Sequence, residues 1–243
     1  MLEILMAIIK TLILLGILVI IHEGGHFVVA KLCKVKVNEF SIGFGKILLS
    51  RQKGETKYCL RLIPLGGFVS MEGEEEHSDA EGSFSNASIL KKIAIVSAGA
   101  IVNILFGLLV YFLLITFHYG IEIAAKSTIN YIGALGDSIR ILFTGGTTID
   151  DLAGPVGVAT IVSQTSSLTD FIYLLSVISL SLGITNLIPI PPLDGGKILI
   201  YIIEFIKRKP LKEETSLKIQ MAGFMFIIGL SVFVMYNDVA RIL

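Results

Sequence analysis

The chain has 243 residues, 53% of them hydrophobic and 16% charged, with a mean hydropathy of +0.81. A water-soluble domain of this length needs more charge to cover its surface, so much of the apolar excess must face lipid. The formal net charge is zero and no basic tract alternates with aromatic residues, which leaves nucleic-acid binding without support.

The first apolar stretch, about residues 4–30, is interrupted by Lys10 and then by His22, Glu23 and His26. It lacks the basic cluster and the small-residue cleavage site of a signal peptide, so it reads as a retained transmembrane helix. Residues 31–92 form a connecting loop. Within it, Lys46–Ser50 and Tyr58–Ile63 suit short strands around the turn-prone Gln52-Lys53-Gly54-Glu55, a hairpin signal. Phe40-Ser41-Ile42-Gly43-Phe44-Gly45 precedes it and Pro64-Leu65-Gly66-Gly67-Phe68 follows, with glycines suited to turns or to close approach of another chain. The run Glu72-Gly73-Glu74-Glu75-Glu76-His77 reads as a solvated acidic loop. Cys33 and Cys59 are too few for a disulfide framework and read as incidental buried thiols.

A second, uncharged span covers 93–117, and the connection 118–170 is more polar. Gly145-Gly146 and Asp150-Asp151 punctuate that connection, and Pro155 and Gly157 break it, so short helices and loops are expected there rather than a fifth crossing. A third apolar stretch runs from Phe171 to Leu193 and continues to about 207 as an element carrying Asp194. A fourth covers 217–236. Each is long enough to cross a hydrocarbon core about 30 Å thick at about 1.5 Å per residue. Ten Lys and Arg residues lie in 31–92 and five between the third and fourth spans, against Lys126 and Arg140 in 118–170. The positive-inside rule then puts the first and last loops in the cytoplasm and both termini outside, with Lys10 snorkelling outward. The expected fold is an all-α polytopic membrane protein with about four transmembrane helices and a small membrane-associated β-hairpin on the cytoplasmic side, forming one domain over 1–243.

His22-Glu23-Gly24-Gly25-His26 is an H-E-x-x-H motif. Residues four apart share a helix face, so two imidazoles can grip one metal ion while the glutamate beside them deprotonates a water. On a soluble helix the pattern can arise by chance. Inside a span, three ionisable residues in five positions need a common explanation, and metal binding supplies it. Gly24 and Gly25 are equally consistent with ordinary helix packing and with approach of substrate. A catalytic zinc site needs a third protein ligand. Asp194 ends the third stretch at a depth matching His22, after Pro189, Pro191 and Pro192, which forbid regular helix. A lone aspartate there is more often a helix cap; matched depth and the missing ligand favour Asp194 as a ligand.

These residues together resemble the site-2 proteases, the bacterial zinc metalloproteases of regulated intramembrane proteolysis. The resemblance is carried by His22 to Phe27, Phe40 to Gly45, Pro64 to Gly67, Gly99 with Asn103, Gly154-Pro155-Val156-Gly157, and Asn186 through Gly196, over nearly the whole chain. The family often has proline where Ala100 stands. The resemblance implies Zn2+ held by His22, His26 and Asp194, with Glu23 as catalytic base and Asn186 holding unwound substrate. Asn103, Gly43, Gly45, Gly66 and Gly67 join Asn186 as substrate-binding candidates. It implies substrates that are transmembrane segments of signalling proteins such as anti-sigma factors, or signal-peptide remnants, membrane lipid as surroundings, and an upstream site-1 protease as a partner. Many members carry a PDZ domain between the second and third spans; residues 118–170 are too few to hold one. Two rival readings use the same polar residues: a metal transporter, and an inactive relative serving as a scaffold.

Overall fold

The computed structural model describes residues 2–74, 76–144, 154–209, 211 and 213–242. The chain runs α1 (Leu2–Leu32), β1 (Val37–Lys53), β2 (Thr56–Met71), α2 (Ile89–Tyr119), α3 (Ile121–Thr144), α4 (Pro155–Ser163), α5 (Leu168–Asn186), α6 (Asp194–Lys207) and α7 (Glu213–Ile242). Glu75, Gly145-Gly146 and Asp150-Asp151, to which the sequence assigned loops, lie outside the described residues.

Among the described residues four helices, α1, α2, α5 and α7, are long and apolar enough to cross a membrane. Only a minority of their most apolar windows is buried: 11% in α1, 17% in α2, 28% in α5 and 6% in α7. Side chains such as Ile13, Leu109 and Met225 are more than half exposed, and lipid is the medium that accommodates them. The chain is a multi-pass membrane protein. The third apolar stretch is not one helix. It ends as α5 at Asn186 and resumes as α6 at Asp194, because Pro189, Pro191 and Pro192 remove backbone donors and clash with a preceding helical turn. The connection after α2 also differs from expectation. It begins with one helix of 24 residues, α3, rather than several short ones, its i,i+4 Glu122–Lys126 pair (3.0 Å) supporting the first turns.

Contacts group the chain into two compact units. One comprises Met1–Thr11, Phe106–Ile178 and Met225–Leu243. In it Asp238 of α7, 4% exposed, accepts hydrogen bonds from the Gly154 and Gly157 backbone N–H groups (3.3 and 2.8 Å). The start of α4 has unpaired N–H groups and a positive dipole end, so a carboxylate satisfies both. The Lys10 ammonium donates to the Thr165 carbonyl (2.7 Å), just beyond the end of α4, where helix carbonyls favour a cation.

The other unit comprises Leu12–Leu105 and Ser179–Phe224. Its hydrophobic core joins Ala30 of α1, Val37 and the strand residues Val69 and Met71, Phe84, and Ile95 and Val96 of α2. The sheet is larger than the sequence suggested. β1 and β2 pair antiparallel around a turn at Gly54, but residues 39–42 also lie beside 57–60. Four backbone segments therefore run abreast in the order 67–71, 37–42, 57–61 and 47–53. Gly43 and Gly45, at φ +88° and +79°, let β1 turn between its two halves in a region that L side chains avoid.

Arg61 holds that bend. Its guanidinium donates to Ser41 Oγ and the Gly45 carbonyl (2.8 Å each), pairs with Glu39, and lies over the Phe68 ring. Burial works against charge on Glu39, yet Arg61 outweighs it and holds the carboxyl below its ordinary range. Arg61→Ala leaves a half-buried carboxylate without its partner. It is expected to cost about 1–3 kcal/mol locally, read as faster amide exchange in residues 37–71 with the membrane helices unchanged; unchanged exchange would contradict this role.

The acidic run is only partly a solvated loop. Glu72 accepts from Asn38 (3.0 Å) and Ser78 (2.8 Å) and faces Lys36, and Glu74 pairs with Lys197 of α6 at 3.0 Å, whereas Glu76 is exposed. Cys33 and Cys59 are both free thiols, Cys59 buried.

Candidate metal centre

His22, Glu23 and His26 lie in the last third of α1. Gly25 turns toward α2, where a Cβ would sit 2.6 Å from the Ala98 carbonyl oxygen, so glycine permits the two helices to meet. A Cβ on Gly24 would meet nothing within 4 Å among the described residues. The two glycines thus differ: one is packing, the other opens onto space.

The facing surface of α2 is built from Ile95, Gly99 and Asn103, spaced four apart and so on one side of the helix. His26 Nδ1 donates to the Ile95 carbonyl (2.8 Å). A carbonyl can only accept, so Nδ1 carries the proton and the Nε2 lone pair is left to face the cleft. Gly99 packs against both imidazoles; a Cβ there would collide with His26 Nε2 and stand 2.9 Å from His22 Cε1. Asn103, fully buried, sets its side-chain amide 3.2 Å from His22 Nδ1, and its main-chain carbonyl accepts a hydrogen bond from the Ser179 hydroxyl of α5 (2.8 Å).

The third element is the turn 187–193. Gly195 and Gly196 press against the backbone of Leu187, Ile188, Ile190 and Pro191, and Gly223 of α7 against the Pro191 carbonyl. No side chain fits at those three positions, so the turn folds tightly onto the start of α6 and swings Asp194 back toward α1. Asp194 is the first residue of α6, Leu193 is the N-cap, and no side-chain capping bond is made. The helix-cap role that a lone aspartate usually takes is absent here.

The structure brings the three predicted ligands together. Nε2 of His22 and Nε2 of His26 are 3.2 Å apart, and Asp194 Oδ2 is 3.3 Å from the first and 3.5 Å from the second. Ligands about 2.0–2.1 Å from a tetrahedral zinc are about 3.3–3.4 Å from one another. The triangle fits that ion. Asp194 Oδ2 is buried with no hydrogen-bond partner among the described residues, as expected of a carboxylate oxygen that serves a cation. The three side chains are 12–15% exposed, enough for a narrow approach.

Glu23 lies beside the triangle and against the sheet: a Cβ on Gly67 would stand 3.1 Å from Glu23 Cγ and 2.7 Å from the Ser41 carbonyl oxygen. Gly43, Gly45 and Gly66 lie in the same bent hairpin, Gly66 against the Phe44 ring. Asn186 ends α5, half-buried, with no hydrogen bond from its amide among the described residues. Asn103, expected among the substrate-binding candidates, is fully buried with its amide toward His22. Sequence reasoning missed Ile95 and the reason for Gly99. The signal was there in the spacing 95, 99, 103, but nothing in it told which helix that face would meet.

Residues 10–230 match the model of peptidase family M50. A Clostridium acetobutylicum protein carrying a zinc-metalloprotease name is 26% identical over an alignment of 321 positions, covering 92% of this chain and 94% of that protein. A similarly named protein of Clostridium perfringens is 25% identical over 96% of this chain and 98% of its own length. Protease RseP of Yersinia pestis is 46% identical over 118 residues, 46% of this chain and 26% of that protein.

Proposed function

This chain belongs to peptidase family M50 and is a zinc metalloprotease of the site-2 type, and we propose that it cuts peptide bonds inside transmembrane segments of other membrane proteins, with His22, His26 and Asp194 holding the zinc and Glu23 as general base. The observation that carries the residue assignment is the triangle of two imidazole nitrogens and one buried carboxylate oxygen at tetrahedral-ligand spacing.

Bound zinc supplies a water of lowered pKa and polarises the scissile carbonyl. Glu23 takes the proton of the attacking water on its carboxylate and returns it to the leaving nitrogen. A helical substrate hides its carbonyls in its own hydrogen bonds, so the segment must be extended before it can react. The sheet offers a template. Residues 67–71 form an outermost segment whose pairing partner is β1, and Gly67 brings that segment against Glu23. An extended substrate adding to this edge would gain backbone hydrogen bonds beside the base. Asn186, with its uncommitted amide, is suited to hold the same segment. The distribution of Lys and Arg supports a site opening toward the cytoplasm with both termini outside. Substrates of the anti-sigma-factor or signal-peptide-remnant kind, trimmed first by a site-1 protease, fit this reading.

The test is cleavage of a model transmembrane substrate by the purified protein in phospholipid vesicles. Removal of zinc by a chelator is expected to stop cleavage and added zinc to restore it. Cleavage that persists after element analysis shows the zinc gone would overturn the proposal.

A further inference from the structure

Asn103 is among the most buried polar side chains described, at 0% exposure, on a helix that is largely apolar. An amide so placed is costly unless it is paired. Its pairing is with His22 Nδ1 at 3.2 Å, through the nitrogen end of the amide, while Oδ1 is buried with no partner among the described residues. The amide's two ends have the same shape and exchange by a half-turn about its last bond. Which end faces the ring is set by which nitrogen of His22 carries the proton.

His26 shows how the other imidazole is fixed: its Nδ1–H is spent on the Ile95 carbonyl, which leaves Nε2 as a lone pair. For His22 to offer Nε2 to a cation at the triangle, its Nδ1 must likewise carry the proton. An N–H cannot face the donating end of an amide. We infer that Asn103 is a positioning residue of the metal centre, its amide oxygen accepting the Nδ1 proton of His22 and so holding the ring in the tautomer and orientation that present Nε2 to Asp194 and His26. One face of α2 then orients both imidazoles, through a main-chain acceptor at Ile95 and a side-chain acceptor at Asn103. The Ser179 hydroxyl, bonded to the Asn103 carbonyl at 2.8 Å, ties that point of α2 to α5. The inference rests on the zinc reading of the triangle and replaces substrate binding as the role of Asn103.

The experiment compares the zinc dissociation constants of wild type, Asn103→Leu and Asn103→Asp, measured by competition with a chromophoric chelator, together with KM and kcat at saturating zinc. Leucine keeps the volume and removes the acceptor; its zinc affinity is expected to fall about 10- to 100-fold, with KM unchanged. Aspartate keeps an accepting oxygen and is expected to bind zinc at least as well as wild type. A leucine variant that binds zinc normally but raises KM would restore the substrate role and overturn the inference, as would an aspartate variant as weak as leucine. If either variant fails to fold, nitrogen-15 NMR of His22 in zinc-loaded wild type decides: a protonated Nδ1 is expected, and an unprotonated Nδ1 overturns it. Wild type that takes up no zinc at all would instead remove the reading of the triangle on which the inference stands.

Discussion

Glu23→Gln is expected to lower cleavage of a transmembrane substrate by about 100- to 10,000-fold, the usual worth of a general base, while zinc stays bound at wild-type stoichiometry. Glu23 sits between the two histidines in sequence and a quarter-turn or so off their face, so it lies beside the triangle without being part of it; Gly67 of the sheet packs against its Cγ. Glutamine keeps the shape and the packing but cannot take up a proton. Loss of zinc together with cleavage would mean that Glu23 is a ligand or a structural prop rather than the base. The same variant separates the rival readings. Metal transport or a scaffold role would survive the substitution, and proteolysis would not.

The second large effect is expected at Gly99. In Gly99→Ala the added methyl falls on His26 Nε2 and close to His22 Cε1. The neighbours are the far ends of imidazoles, which can rotate away, so the helices need not move. The fold is expected to persist, helped by the roughly 1 kcal/mol that alanine gains over glycine within a helix. The metal site is not. Two imidazoles turned away from Asp194 no longer converge on one ion, so zinc affinity and cleavage are expected to fall together, by at least about 100-fold for loss of one good ligand set. Zinc titration alongside a thermal melt checks this. A variant that melts like wild type yet binds zinc equally well would show that the rings do not occupy the positions described.

The triangle of His22, His26 and Asp194 was largely legible beforehand, for reasons specific to its residues. His22 and His26 are four apart on an uninterrupted helix, so their shared face follows from helix geometry alone. Asp194 could be linked to them because three prolines forbid helix in front of it and few other acids border the membrane. Their meeting point could not be read, since it depends on Gly195, Gly196 and Gly223 letting the turn fold tight. The double pairing of residues 39–42 was also hidden. Alternation marks a strand but not how many neighbours it acquires, and the deciding feature is the positive φ at Gly43 and Gly45. Composition misled at Glu72 and Glu74, where a run of acids looked solvated and two of them found partners far off in sequence. Asn103 shows a third kind of gap: spacing put it on a helix face without saying whether an imidazole or a substrate would stand opposite.

Because Asp194 opens α6 while both histidines belong to α1, the grip of the proposed centre on its metal would depend on a piece of main chain that touches no metal at all. Bulk introduced at Gly223, where α7 abuts the Pro191 carbonyl, would pry the aspartate outward and leave two nitrogens holding a cation alone. Leakage of the ion is thus a remote gauge of how firmly that corner is latched, readable from the solution without ever watching a substrate being cut.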